Sequence, residues 1–113
     1  MAQDFEKAYK SQVSDSAHTL FTSDSDDAII GIRLTNITTS AITVDVWIDV
    51  AAAGSTASIV YLADDLGIPP KSSVELIQGG AKMVIQSTDL LRAQASAATS
   101  CAAWVSYVDA IST

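Results

Sequence analysis

From Ile42 to Val50 the chain reads ITVDVWIDV, an unbroken alternation of aliphatic and mostly polar positions. Ile42, Val44, Val46, Ile48 and Val50 share one side of an extended chain, while Thr43, Asp45, Trp47 and Asp49 share the other. On a helix the five aliphatics would scatter around the axis and Asp45 would stack on Asp49. The segment is therefore read as a strand with its aliphatic side buried. Upstream, Ala28 to Asn36 (AIIGIRLTN) alternates as well, with Ile30, Ile32 and Leu34 against Ile29, Gly31, Arg33 and Thr35. The Thr- and Ser-bearing link Ile37 to Ala41 suits a hairpin. These two strands are expected to pair antiparallel with their aliphatic faces inward.

The same pattern, more weakly written, continues along the chain. Ala57 to Ala63 sets Ile59 and Tyr61 against Val60 and Leu62, after a turn at Ala51 to Thr56. Ile68-Pro69-Pro70 is an extended connection, because a residue before proline avoids the helical region. Val74 to Ile77 is a short strand ended by Gly79-Gly80, and Met83 to Gln86 is another, closed by Ser87-Thr88-Asp89. Tyr9 to Val13 and Ala17 to Phe21 are fainter candidates. Leu90 to Ala98 contains good helix formers, but as a strand it points Leu91, Ala93 and Ala95 inward, and that reading is adopted. Cys101 to Ile111 is apolar on both parities, as in a strand covered on both sides. Strands spaced this regularly predict an all-β chain: one antiparallel β-sandwich, jelly-roll or Ig-like, over residues 16–113. Residues 1–15 are an N-terminal arm or a first edge strand; Phe5, Ala8 and Tyr9 have the spacing of a short amphipathic helix.

Composition supports strands. Eighteen Ala, fifteen Ser and ten Thr stand beside eleven Ile and nine Val, and β-branched side chains favour pleated surfaces. A hydrophobic fraction of 49% with 17% charged residues excludes a disordered tail. No apolar run is long enough to cross a bilayer as a helix. The start, MAQDFEKAYK, lacks the apolar stretch of a secretory signal, so the chain is expected to fold where it is made. A net charge of −7 argues against nucleic acid, whose binders gather basic stripes against phosphate.

Little in the chain can do chemistry. His18 is the sole histidine and no G-x-S-x-G elbow accompanies the serines, so His18 is read as a polar strand residue near the surface. Cys101 has no basic neighbour in sequence to activate it and is read as a small core residue. Asp24, Asp26 and Asp27, with Asp64 and Asp65 in a second loop, raise calcium. Yet the ion wants about six to eight oxygens and the EF-hand spacing is absent, so solvated turns are the preferred reading. Asn36-Ile37-Thr38 matches the glycosylation sequon but sits at a strand end. Trp47 projects between Asp45 and Asp49. There it is either an interface anchor or sugar-stacking platform, or a side chain covered by a loop or the N-terminal segment of its own monomer. Phe5, Tyr9 and Trp47 are the candidate interface residues, and Trp104 is assigned to the core. No catalytic residue, metal or cofactor is expected.

Three segments carry a resemblance: TNITTSAITVDVWI (Thr35 to Ile48), IPPKSSVELIQGGAKMVIQSTDLLRAQASA (Ile68 to Ala97) and WVSYVDA (Trp104 to Ala110). They resemble small virion structural proteins of tailed bacteriophages, in particular phages of cyanobacteria and other aquatic bacteria. Met1 to Ser25 departs from the pattern. The resemblance implies a β-sandwich present in many copies on the particle and transfers no catalytic residue. It implies a non-enzymatic virion protein assembled in the host cytoplasm: a capsid decoration or cement protein on the major capsid lattice. A tail, collar or fibre-attachment protein, and a glycan-binding module, are the alternatives. The partners would be the major capsid protein or tail and neck components, and further copies of the chain, with a trimer as one option; no nucleic acid and no membrane. Surfaces of Ser, Thr and Ala suit such packing because they bury without charge desolvation, and weak contacts repeated over a lattice become durable.

Overall fold

The computed structural model describes residues 4–50, 59–78 and 81–111; the turn expected at 51–56 and the glycine pair 79–80 lie outside the described residues. Among these the chain forms strands β1 (Phe5–Val13), β2 (His18–Thr22), β3 (Asp27–Asn36), β4 (Ile42–Asp49), β5 (Ile59–Ile68), β6 (Ser73–Glu75), β7 (Met83–Ile85), β8 (Leu90–Ala95) and β9 (Cys101–Val108). Hydrogen bonds sort them into two antiparallel sheets, β1-β9-β3-β6 with β7 also on β3, and β2-β8-β4-β5. β6 and β7 flank the same β3 strand, with Leu34 opposite Val74 and Ala28 opposite Val84, and act as two pieces of one interrupted strand. Counted so, the first strand pairs with the last, the second with the next to last, the third with the sixth and the fourth with the fifth. That is a long hairpin rolled over itself, the jelly-roll form of the sandwich.

The expected β3–β4 hairpin is corrected by this topology. The two strands lie in opposite sheets and face each other across the core. Asn36 explains why the link crosses rather than turns back. Its side chain is fully buried, and its Nδ2 donates to the carbonyls of Ser40 (2.7 Å), Ile68 (3.0 Å) and Pro69 (3.2 Å). Its Oδ1 accepts from Thr38 N and Thr38 Oγ1. The sequon asparagine thus staples the crossover to the end of β5. The Pro69–Ser72 turn beside it closes with Ser72 N donating to Pro69 O, and Lys71 at its third position has φ +57°.

Between the sheets lie Val13, Ile29, Ile32, Leu34, Val44, Val46, Ile68, Leu91 and Val105, all at 2% exposure or less. β4 buries Ile42, Val44 and Val46 as its alternation predicts, with Ile48 half-buried, and β8 buries Leu91, Ala93 and Ala95. Phe21 of β2 meets Tyr107 of β9 across the sandwich, ring centroids 4.2 Å apart. β3 departs from its simple alternation. Against β9 the register shifts between Ile29 and Gly31, so one extra residue is inserted. This β-bulge flips parity: Ile29 is fully buried along with Ile32 and Leu34, and Ile30 is not. Phe5–Val13 runs as an edge strand on β9, not as a helical arm.

Candidate functional site

The outer face of the first sheet gathers exposed aromatics. Phe5 and Tyr9, two apart from Lys7 on β1, project from the edge strand at 79% and 61% exposure. Tyr9 is in register with Trp104 of β9, and their rings stack with centroids 5.8 Å apart and planes 21° from parallel. Trp104 is itself 47% exposed. Shallow grooves run on either side of it. One is lined by Phe5, Glu6, Lys7, Ile30, Ser106 and Tyr107, the other by Tyr9, Lys10, Arg33, Thr35 and Ala102. Arg33 is oriented toward Glu75, 3.9 Å away, whose other oxygen accepts from Ile32 N at 2.7 Å beside the β3 bulge. Ala102 and Ser106, two residues either side of Trp104 on the same parity of β9, are small and leave its ring standing proud.

Trp104 was expected in the core and lies on this face instead. On β9 Cys101, Ala103 and Val105 take the buried parity, and Trp104 takes the other. Trp47 goes the opposite way. It does project from the outward parity of β4, but it is 7% exposed, with Tyr61 of the neighbouring strand β5 tilted against it at 5.8 Å. Its covering side chain comes from its own sheet, and its ring is closed to a stacking sugar. The structure therefore joins Phe5 and Tyr9 to Trp104 and leaves Trp47 apart, in the other sheet. The parity of Trp104 against Cys101, Ala103 and Val105 was the available signal; Ala on both parities hid it.

The acidic residues assemble differently from their sequence clusters. Asp27 opens β3 fully buried, and Asp24, Asp27 and Asp109 each bring a carboxylate oxygen within 4.8 Å of the others; Asp26 is not in the group. Asp27 accepts from Ser23 Oγ and Ser25 Oγ (both 2.8 Å) and from Ala110 N (3.0 Å). Burial alone would push its carboxyl up, but these donors outweigh it and hold Asp27 below the usual carboxylate value. Asp109 is pushed up, first by its hydrogen bond to Asp27, then by desolvation and the nearby negative charges. The cluster latches the β2–β3 corner to the end of β9. Asp64 and Asp65 belong to β5, not to a loop, and group with Asp45 within 4.8 Å; Asp65, at φ +52°, donates its N–H to Asp45 Oδ1 at 2.7 Å.

His18 is half-buried on β2, and its Nε2 is enclosed without a hydrogen-bond partner among the described residues. Among the described residues neither a serine hydroxyl nor a carboxylate hydrogen-bonds to that nitrogen. Cys101 is fully buried, and burial pushes its thiol up, away from the reactive thiolate.

No protein-family model matches the sequence, and no curated protein matches it significantly. Solved structures share the fold. A chain in the acidic stable capsid structure of Helicobacter pylori bacteriophage KHP30 superposes with a TM-score of 0.58 at 13% identity, covering 96% of this chain and 87% of that one. The VP2 subviral particle of infectious bursal disease virus gives 0.56 at 15% identity, and the Gx strain of that virus 0.54 at 12%. The present chain covers 96% and 100% of its own length in these two matches but only 33% and 31% of theirs, about a third of each. At such identities the likeness is one of fold.

Proposed function

We propose that this chain is a non-enzymatic structural protein of a virus particle, a bacteriophage capsid decoration or cement protein that binds the major capsid lattice through the outer face of its first sheet. The observation that carries the reading is the stacked Tyr9–Trp104 pair, with Phe5, standing exposed on a jelly-roll framework. Jelly rolls recur in capsids, and the matched KHP30 chain is spanned over 87% of its length, so a chain of comparable size occurs in a capsid structure. Large exposed aromatics rimmed by polar groups are the anchors from which protein interfaces draw most of their energy.

Purified particles test this. The chain is expected in them at hundreds of copies by quantitative mass spectrometry, and Trp104→Ala, which removes surface and no core, is expected to cut occupancy at least tenfold while melting like the parent. A count of a few tens or fewer would place the chain on the tail, collar or fibre attachment instead. Absence from particles would overturn the virion reading altogether.

A further inference from the structure

We propose that β1 of one copy pairs antiparallel with β1 of a second copy about a two-fold axis at Ala8, joining two first sheets into one continuous sheet. The contact uses the edge of the sheet and leaves its aromatic face open, so it stands apart from the virion reading.

The edges of the sandwich differ in what they offer an added strand. Among the described residues β1, β2, β5 and the β6–β7 pieces are each bonded on one side only. β6 and β7 have three residues each, β2 shifts register between Thr19 and Phe21, and β5 shifts twice against β4. Short strands and bulges of this kind blunt an edge. β1 instead keeps unbroken register with β9 from Phe5 to Lys10, and so presents the straightest open row of backbone donors and acceptors.

Charged side chains ordinarily guard such an edge; here they select one pairing. Residues that face each other across an antiparallel pair point to the same side of the sheet. With Ala8 opposite Ala8 of the second copy, Glu6 and Lys10 of each chain face Lys10 and Glu6 of the other on the core side. On the outer side each Lys7 faces Tyr9 of the other chain. A two-fold at Lys7 or Lys10 would oppose lysine to lysine, one at Glu6 glutamate to glutamate, and one at Phe5 would set Glu6 against Asp4. A two-fold at Tyr9 pairs no charges. Only the Ala8 register joins opposite signs and opposes no like ones. The single chain leaves these charges unanswered. Its ion pair among the described residues is Arg33–Glu75, and the charges that act on Glu6 are those of Asp109, Asp4 and Asp24. Lys10 of a second copy brings Glu6 a countercharge. Tyr9 has one neighbour stacked on it, Trp104, and Lys7 of the second copy supplies a cation to its ring. An isologous contact of this kind closes at two copies. It also sets two Tyr9–Trp104 pairs on one continuous outer surface, which gives a dimer two anchors for any partner of that face.

Sedimentation velocity of the purified chain at low salt, over a concentration series, tests the contact together with oxidative cross-linking. The parent is expected to pass from monomer to dimer and stop there. Glu6→Lys alone and Lys10→Glu alone are each expected to dimerise at least tenfold more weakly. An equal mixture of the two, or both changes in one chain, is expected to regain the parental affinity, since opposite charges face each other again. Ala8→Cys is expected to form a disulfide-linked dimer under mild oxidation, because facing Cα atoms of an antiparallel pair lie about 4.5–5.5 Å apart. Ser11→Cys, about 20 Å from its copy in this register, and the parent, whose Cys101 is buried, are expected to stay unlinked. A parent monomeric at every concentration or growing past the dimer, charge variants that associate like the parent, or a mixture no tighter than its components would each overturn the proposal. Cross-linking of Ser11→Cys as fast as Ala8→Cys would do so too. Dimers of a chain absent from particles would overturn the virion reading and leave this contact standing; incorporated but monomeric protein would do the reverse.

Discussion

Val46 has no exposed surface and faces the opposite sheet from the middle of β4. Val46→Lys would bury an unpaired ammonium among Ile and Leu side chains, a cost of several kcal/mol, and is expected to abolish cooperative thermal melting. Asn36 is as enclosed and does more: Asn36→Ala strips the donors from the Ser40, Ile68 and Pro69 carbonyls and should cost about 2–3 kcal/mol in urea unfolding. Asn36→Asp, which cannot donate, should be no better. The acidic corner sets the pH response. Asp109 and Glu6 are held above their ordinary values of 3.8 and 4.5, so their contributions are complete below those values and are lost as pH rises through the raised ones. Asp27 is held below 3.8; its contribution is complete above 3.8 and is lost as pH falls through the lowered value. The melting temperature should therefore rise as pH falls from 7 into the ordinary carboxylate range and fall again as Asp27 takes up its proton. Asp109→Asn, a permanent donor to Asp27, should flatten the neutral limb. At this scale the sequence was readable where small and large side chains alternate, as on β4. It was unreadable at the two tryptophans, because exposure there is decided by Tyr61 and by an empty outer face, neither of which lies nearby in sequence.

Strand existence was legible almost everywhere, and strand partnership was not. Leu90–Ala95 has helix-forming residues yet is a strand, because β2 and β4 on either side supply its hydrogen bonds and propensity yields to such tertiary pairing. The β3 bulge left no mark in the pattern, since Ile29 and Ile30 are the same residue with opposite fates. Its support is Glu75, whose Oε2 accepts from both Ile32 N and Ile77 N. Glu75→Ala should destabilise by about 1–3 kcal/mol through the orphaned donors, while Glu75→Gln, which keeps an acceptor oxygen, should lose less. β1 decides what N-terminal truncation does. Residues 5 to 10 pair with β9, and Ala8 packs on the core, so removing residues 1–10 exposes β9 as a new sheet edge. The truncated chain should melt lower and aggregate, as light scattering during a thermal ramp would record.

The whole molecule is a slab with extents 45 × 30 × 22 Å, the thinnest dimension being two sheets about 10 Å apart with their outward side chains. Its first and last strands are neighbours, and folding must close loops nearly as long as the chain. Refolding in stopped-flow is therefore expected on the millisecond-to-second scale of such β-topologies. Closing the core in this way leaves two large outer faces of unlike chemistry, one carrying the stacked Tyr9–Trp104 pair among charges of both signs, the other carboxylate-rich with Tyr61 over Trp47. The two-layer form could be anticipated from strand spacing. The difference between the two faces could not, because it depends on which strands share a sheet. What most directly tests the account is a cryo-electron microscopy map of particles carrying the chain. It should show the jelly roll at many symmetry-related positions with Trp104 covered by a neighbouring subunit. Particles without the chain, or with Trp104 open to solvent at every site, would contradict it.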